Sequence, residues 1–197
     1  MNLYALCDMQ TLLKKDISLE EFAKLSNKYN AKIIQYRDKL NDITTQINNI
    51  KILKQNTTIP IIINDKLELL KYCDGVHLGQ EDLLRVKNEE LKLKDDELVF
   101  KFLRKLYPSK IFGLSTHNEI EILHANKLDL DYIGLGAYRA TSTKDVSNIL
   151  GNNISYLAKI SKHKVGAIGG VKLDDNIPNI YYNVIGSGLL EGINNDN

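Results

Sequence analysis

Long hydrophobic runs, linkers and one-sided charge are all missing from this chain. No stretch approaches the ~18 consecutive apolar residues of a membrane-spanning helix. Lysine plus arginine (26) almost balance aspartate plus glutamate (25), for a net charge of +1. No broad field therefore draws the chain to nucleic acid or to an anionic membrane, and any site for an anionic ligand must be local. There are only two cysteines, Cys7 and Cys73, too few for a disulfide framework. Both lie in apolar, strand-like segments and read as buried, reduced thiols. No His/Cys spacing suits zinc. No tract is rich in Pro, Gly or Ser, and none is of low complexity. The opening Met1-Asn2-Leu3-Tyr4-Ala5-Leu6-Cys7-Asp8 holds too short an apolar run for a signal peptide and has no basic leader. The expectation is a cytoplasmic protein with neither nucleic acid nor a membrane as partner.

What is present is a regular alternation. The 197 residues, 43% of them apolar, suit one domain spanning 1–197 with a sizeable core. Short apolar runs recur at Leu3–Cys7, Lys32–Tyr36, Pro60–Ile63, Gly75–Leu78, Ile111–Leu114, Tyr132–Leu135, Val165–Ile168 and Asn183–Ile185. Each has the length of a strand buried on both faces. Between them lie segments of helical period. Ser18, Asp95 and Asn118 each stand where a helix should start, with acids in the turn that follows. Strand, helix, strand over eight runs is the pattern of a parallel sheet with crossover helices. No Gly-x-Gly-x-x-Gly follows the first run, which argues against a dinucleotide-binding sheet. The fold expected is a compact TIM (β/α)₈ barrel of the α/β class with shortened last helices.

In such a barrel the chemistry comes from the C-terminal ends of the strands, and the informative residues fall there. Gln35-Tyr36-Arg37-Asp38-Lys39 ends the second run, Asn64-Asp65-Lys66 follows the third, and Gln80-Glu81-Asp82 the fourth. Ser115-Thr116-His117 follows the fifth, Thr141-Ser142-Thr143-Lys144 the sixth, Gly169-Gly170 the seventh and Gly186-Ser187-Gly188 the eighth. Arg37, Lys39 and Lys144 supply positive charge, and an arginine matches two phosphate oxygens at once. Asp65 and Asp82 are hard oxygen ligands on neighbouring strands; one or two carboxylates plus a substrate phosphate is the usual setting of Mg²⁺. Glycines after the last two strands allow backbone N–H groups to approach a phosphate. Plainer readings stand beside these. Gly169-Gly170 also suits a simple turn, Asp65 a helix cap, and Arg37 with Asp38 a surface ion pair. His77 reads as a core residue, His117 as either a helix cap or a site residue, and His124 and His163 as surface residues. Ser115 and His117 lack the setting of a nucleophile elbow. The mixed charges of 87–94 read as a solvated loop or helix face.

These motifs resemble the thiamine-phosphate synthase family. Gln35-Tyr36-Arg37-Asp38-Lys39, Ile63-Asn64-Asp65, Gly75-Val76-His77-Leu78-Gly79-Gln80-Glu81-Asp82-Leu83, Gly113-Leu114-Ser115-Thr116-His117, Asp131-Tyr132-Ile133-Gly134-Leu135-Gly136, Thr141-Ser142-Thr143-Lys144 and Ala167-Ile168-Gly169-Gly170-Val171 follow one another in the family's order. The resemblance implies joining of a hydroxymethylpyrimidine diphosphate to a thiazole phosphate, with Mg²⁺ and release of diphosphate. It implies Asp65 and Asp82 as the metal ligands, and Arg37, Lys39, Ser115 and Lys144 as the catalytic set. Gln35, Tyr36, Arg37, Asp38, Lys39, Asn64, Ser115 and Lys144 would hold the pyrimidine diphosphate, and His117 counts as a further substrate-binding residue. Thr141, Ser142, Thr143, Gly170, Gly186 and Ser187 would hold the thiazole phosphate. Relatives of this family include thiazole tautomerases, which would use His117 as acid–base, and a non-catalytic binder of phosphorylated thiamine precursors is a third alternative.

The chain departs from the family pattern after the sixth strand, where Ala137-Tyr138-Arg139-Ala140 replaces a proline-rich stretch and adds a cation without an evident role. The span from Gly170 to Ser187 is short, so the seventh helix is expected to be clipped and the eighth nearly absent. Bare strand surface there would favour a homo-oligomer.

Overall fold

A computed structural model describes residues 2–140 and 149–195. Eight parallel strands close into a barrel in sequence order: β1 (Asn2–Asp8), β2 (Ile33–Arg37), β3 (Ile61–Asn64), β4 (Gly75–Leu78), β5 (Ile111–Thr116), β6 (Tyr132–Gly136), β7 (Lys164–Ile168) and β8 (Tyr182–Ile185). The ring shuts where Asn2–Ala5 of β1 lie beside Tyr182–Ile185 of β8. Every expected run is a strand, with ends moved by no more than two residues. Strands covered on both faces leave no polar positions inside the run, and that made them legible.

Side chains alternate between two environments, as the pleat requires. Ile34, Tyr36, Ile61, Ile63, Val76, Leu78, Leu114, Ile133 and Leu135 point outward into the layer under the helices. Tyr4, Ile33, Ile62, Tyr132, Tyr182 and Val184 fill the barrel's interior. Three interior tyrosines pack edge to face, with centroids 5.6 Å (Tyr4–Tyr132), 6.0 Å (Tyr4–Tyr182) and 6.1 Å (Tyr132–Tyr182) apart. Gly113 makes room for them: a Cβ there would lie 2.2 Å from Tyr132 Cζ.

The outer layer is built from α1 (Met9–Lys14), α2 (Leu19–Lys28), α3 (Ile43–Asn56), α4 (Gln80–Arg85), α5 (Asp96–Leu106), α6 (Glu119–Ala125) and α7 (Asn153–Ala158). The three expected helix starts are caps. Ser18 and Glu21 form a capping box on α2, Asp95 accepts from Leu98 N at 2.9 Å, and Asn118 accepts from Glu121 N at 2.9 Å. Such caps satisfy N–H groups that the helix leaves unpaired. Cys7 and Cys73 are buried free thiols. Within the mixed-charge stretch, Lys87 pairs with Asp96 at 2.9 Å while Asn88, Glu89, Glu90, Lys92 and Lys94 face solvent.

Strand–helix repetition does not run through all eight units. Residues 65–74 are too few for a full crossover helix and form a 3₁₀ helix at Leu67–Tyr72. Residues 169–181 carry no helix, and Ser187–Asn195 is 3₁₀ rather than α. The last two helices are therefore cut back as expected, the one after β7 to nothing and the one after β8 to 3₁₀ turns. The bare strand surface is not present. Val171, Ile177, Leu189 and Leu190 are all buried against the barrel, so the irregular segments cover the strands that the missing helix would have covered. Among the described residues no helix is long and apolar enough to cross a membrane.

Gly113→Ala is predicted to cost about 1–3 kcal/mol through overpacking against Tyr132. For a chain of this size that is a fall of roughly 3–10 °C in Tm, read by circular dichroism; an unchanged melting temperature would contradict the packing described.

Candidate active site

The C-terminal ends of the strands gather acids and cations at one mouth. Asp65, just past β3, has a left-handed backbone (φ 63°), and its Oδ1 accepts the Gly79 N–H at 2.9 Å. Asp82, in the first turn of α4, reaches the same point. A Cβ built on Gly79 would lie 3.1 Å from Asp82 Oδ2 and 3.7 Å from Asp65 Oδ1, so a side chain there would press on the Asp82 carboxylate. Burial pushes the Asp65 carboxyl above its ordinary range, against the lowering by the Gly79 N–H, and the neighbouring Asp82 charge pushes it further. Arg85, one turn along α4, donates to the Asp65 carbonyl at 3.0 Å and to Asp82 Oδ1 at 3.2 Å. Among the described residues no group of three or more His, Cys, Asp and Glu side chains forms a metal cage. Two converging carboxylates do suit a Mg²⁺ ion that takes its remaining ligands from water and a phosphate.

The second strand's motif divides by the pleat. Arg37 faces the mouth and forms an ion pair with Asp8 at the end of β1, not with Asp38. Tyr36 points its side chain the other way. Its ring is buried in the layer beneath the helices, where its hydroxyl donates to Asp38 Oδ2 at 2.6 Å and accepts from Asn49 Nδ2 at 2.9 Å. Asp38 bonds to its own turn. Its carboxylate accepts Leu40 N at 2.9 Å, Asn41 N at 3.0 Å and Asn41 Nδ2 at 2.9 Å, which shapes the turn behind Arg37. Burial pushes the Asp38 carboxyl up, but the bonds from Tyr36, Asn41 and Leu40 outweigh it and hold it below the usual range. Lys39 is exposed on that turn, and Lys66 Nζ donates to the Asp38 carbonyl at 3.0 Å. Asn64 Nδ2 donates to Asp65 Oδ2.

Inside the mouth lies a small cavity of about 20 Å³, lined by Tyr4, Gln35, His77, Ser115, Tyr132, Gly134, Ile168 and Val184. Gln35 is buried, with no hydrogen-bond partner among the described residues. His77 is a core residue, as its place within a strand suggests. Its Nε2 meets Ser115 Oγ at 2.9 Å and its Nδ1 meets Tyr132 Oη at 2.9 Å. Burial holds its pKa down to about 4, so the ring is neutral. Gln80 Nε2 donates to the Ser115 carbonyl at 2.5 Å. His117 stands one residue before the Asn118 cap of α6, and its Nδ1 and its N–H both engage Glu121 Oε2, at 2.9 and 2.8 Å. His124, as a surface residue, pairs with Asp96 at 2.8 Å, and His163 Nε2 meets the Ala125 carbonyl at 2.9 Å.

On the far side, Gly169 (φ 89°) and Gly170 (φ 62°) both adopt left-handed backbone. A Cβ at Gly170 would come within 2.7 Å of Arg139 Cβ. Arg139 now has a role. It grips Asp175 with both prongs, at 2.6 and 2.8 Å, donates to the Gly170 carbonyl at 2.9 Å and lies over the Tyr138 ring at 4.3 Å. It thus ties the loop after β6 to the helix-free segment after β7. Gly186 and Ser187 lie half-buried beyond β8. Thr141, Ser142, Thr143 and Lys144 lie outside the described residues. Sequence reasoning missed Asp8, Arg85, Asp175 and the tyrosines Tyr4 and Tyr132. Asp8 alone carried a signal, a carboxylate closing the first strand at the functional end.

A family model described as thiamine monophosphate synthase matches residues 3–186. The chain is 33% identical over 155 residues to the thiamine-phosphate synthase of Vibrio campbellii, covering 75% of this chain and 69% of that one. It is 30% identical over 199 residues to that of Clostridium acetobutylicum, covering 97% and 86%. Among solved structures, the thiamine phosphate pyrophosphorylase from Pyrococcus furiosus superposes with a TM-score of 0.70 at 20% identity, over 98% of this chain and 94% of that one; that likeness supports the fold.

The raised Asp65 carboxyl has a consequence for stability. With its folded pKa above the ordinary 3.8, the folded state binds the extra proton more readily than the unfolded one. The penalty is absent below the unfolded value, grows as pH rises, and is complete above the folded value. Asp65→Asn is therefore predicted to melt at a higher temperature than wild type at pH 7.5, with the gain shrinking as pH falls toward 4. Melting curves across that range without added divalent metal check it; a lower Tm for the variant at pH 7.5 would contradict the electrostatic account.

Proposed function

The chain belongs to the thiamine monophosphate synthase family, and we propose that it is a transferase that joins 4-amino-2-methyl-5-hydroxymethylpyrimidine diphosphate to a thiazole phosphate, giving thiamine phosphate and diphosphate. The observation that carries this reading is the convergence of Asp65 and Asp82 beside Gly79, at the strand ends of a barrel whose interior holds a cavity lined by Gln35, His77 and Ser115. The family's name supplies the reaction, and the site supplies chemistry suited to it.

A diphosphate leaving group needs countercharge more than it needs a base. Asp65 and Asp82 would hold Mg²⁺, which when bound supplies charge to the departing diphosphate. Arg37, oriented by Asp8, with Lys39 and Lys144, adds fixed positive charge on the same group. Gln35, Asn64 and Ser115 orient the pyrimidine and its diphosphate. The bond from the pyrimidine methylene carbon to oxygen breaks, and diphosphate departs with the electron pair. The thiazole nitrogen then forms the new bond to that carbon. Gly170, Gly186 and Ser187, with Thr141, Ser142 and Thr143, hold the thiazole phosphate, and the Arg139–Asp175 tie fixes the Gly170 turn. Holding the two substrates face to face removes much of the remaining barrier. No nucleophilic side chain enters the reaction. The whole of 1–197 acts as one barrel domain in the cytoplasm.

The test is direct. Purified protein with both substrates and Mg²⁺ should form thiamine phosphate, measured by chromatography after oxidation to the fluorescent thiochrome. Asp82→Asn should lower kcat/KM by about 100-fold or more, and a chelator should abolish turnover reversibly. Tight binding of both substrates without product would favour the non-catalytic reading, and isomerisation of the thiazole phosphate alone would favour a tautomerase.

A further inference from the structure

A file of hydroxyl and imidazole groups runs from the middle of the barrel to its mouth. Tyr4 Oη lies 2.8 Å from Tyr132 Oη, Tyr132 Oη lies 2.9 Å from His77 Nδ1, and His77 Nε2 lies 2.9 Å from Ser115 Oγ. No carboxylate touches the ring, which therefore carries one proton and one lone pair. The four groups then own one mobile proton each, and each of their three contacts consumes one. One proton is left over, and the direction of the file decides where.

If the bonds run inward, Ser115 donates to Nε2, Nδ1–H donates to Tyr132, and Tyr132 donates to Tyr4. The spare proton then sits on Tyr4, which is 1% exposed and has no other hydrogen-bond partner among the described residues. A mixed order strands it on Tyr132, which is equally buried. If the bonds run outward, Tyr4 donates to Tyr132, Tyr132 donates to Nδ1, and Nε2–H donates to Ser115 Oγ. The spare proton is then the serine's, at the half-buried end of the file that lines the cavity. A buried donor left unpaired is expensive, whereas one at a mouth can be met by water or ligand.

We propose that Tyr4, Tyr132 and His77 form an outward-directed hydrogen-bond chain that fixes His77 as its Nε2–H tautomer and makes the Ser115 hydroxyl an obligatory donor into the cavity. His77 and Tyr132 are positioning residues, and their effect on a ligand passes through Ser115. The chain also sets a specificity. The ligand group facing Ser115 must be an acceptor, such as an aromatic ring nitrogen or a carbonyl oxygen, and an N–H at that point is rejected because two donors would meet. Gln35, in the same cavity wall and without a hydrogen-bond partner among the described residues, can both donate and accept. Together they suit a flat heterocycle presenting an acceptor beside a mixed edge. That this heterocycle is the pyrimidine diphosphate rests on the proposed function; the tautomer does not.

The test has two arms. Protein labelled with ¹⁵N-histidine is examined by long-range ¹H–¹⁵N correlation at pH 7, with His77 assigned by the signal lost in His77→Gln. The expected result is a protonated Nε2 and an unprotonated Nδ1. A protonated Nδ1 overturns the proposal, whatever reaction the protein performs. The second arm measures the affinity for 4-amino-2-methyl-5-hydroxymethylpyrimidine diphosphate in Ser115→Ala, Tyr132→Phe and the double variant, after matching melting curves. Each single change should weaken binding about five- to tenfold, and the double should be no weaker than Ser115→Ala, with the KM for thiazole phosphate unmoved. Fully additive losses would overturn action through Ser115. If wild type fails to bind this diphosphate at all, the proposed function falls while the tautomer measurement still decides the direction of the chain.

Discussion

Two carboxylates held against each other are the constraint on which the mouth of this barrel is organised. Asp65 and Asp82 come from different strand–helix units, yet both lie beside Gly79, whose N–H bonds to Asp65, and burial has already made the Asp65 charge costly. Isolated proteins do not keep such an arrangement for stability. The backbone around it supports it: Asp65 sits at positive φ, the Gly79 N–H bonds to Asp65, and Arg85 anchors both the Asp65 carbonyl and the Asp82 side chain. Under the proposed function, this concentration of strain and repulsion is where a cation and an anionic group would be received.

The rest of the site follows from barrel geometry. A period of two along each strand sends Gln35 and Arg37 inward and Tyr36 outward, and puts Ser115 and His77 on facing inner positions. The inner tyrosines close the barrel below the cavity, so ligands approach from one end only. Opposite the acid pair, the left-handed turn at Gly169 and Gly170 is held by Arg139 and Asp175. The segment after β7 has no helix to pin it, and this two-pronged ion pair supplies the attachment. The loop that departs from the family's usual proline-rich stretch has in this way exchanged ring rigidity for a cross-loop tie.

Much of this was legible in the sequence. The strands were, because burial on both faces leaves unbroken apolar runs, and so were the starts of α2, α5 and α6, because a capping side chain lies next to its own helix. The end of the barrel that carries the chemistry followed from where polar residues cluster. What could not be read was which partner each polar residue takes. Arg37 pairs with Asp8 rather than its neighbour Asp38, because adjacent residues on a strand face opposite ways and β1 lies alongside β2. The side chains of Tyr36 and Asp38 bond to each other, a pairing across two residues that the motif alone does not show. His117 bonds to Glu121, while its neighbour Asn118 caps the helix. Arg139 and Asp175 are 36 residues apart, and no local pattern joins them.

The central claim is that the acid pair and a diphosphate share one divalent ion. Mn²⁺ in place of Mg²⁺ reports this by electron paramagnetic resonance, titrated into the protein with and without inorganic diphosphate. Wild-type protein with diphosphate should hold Mn²⁺ well beyond what diphosphate alone does, and replacing both Asp65 and Asp82 by asparagine should remove that excess. Equal Mn²⁺ retention by the folded double variant would contradict the account.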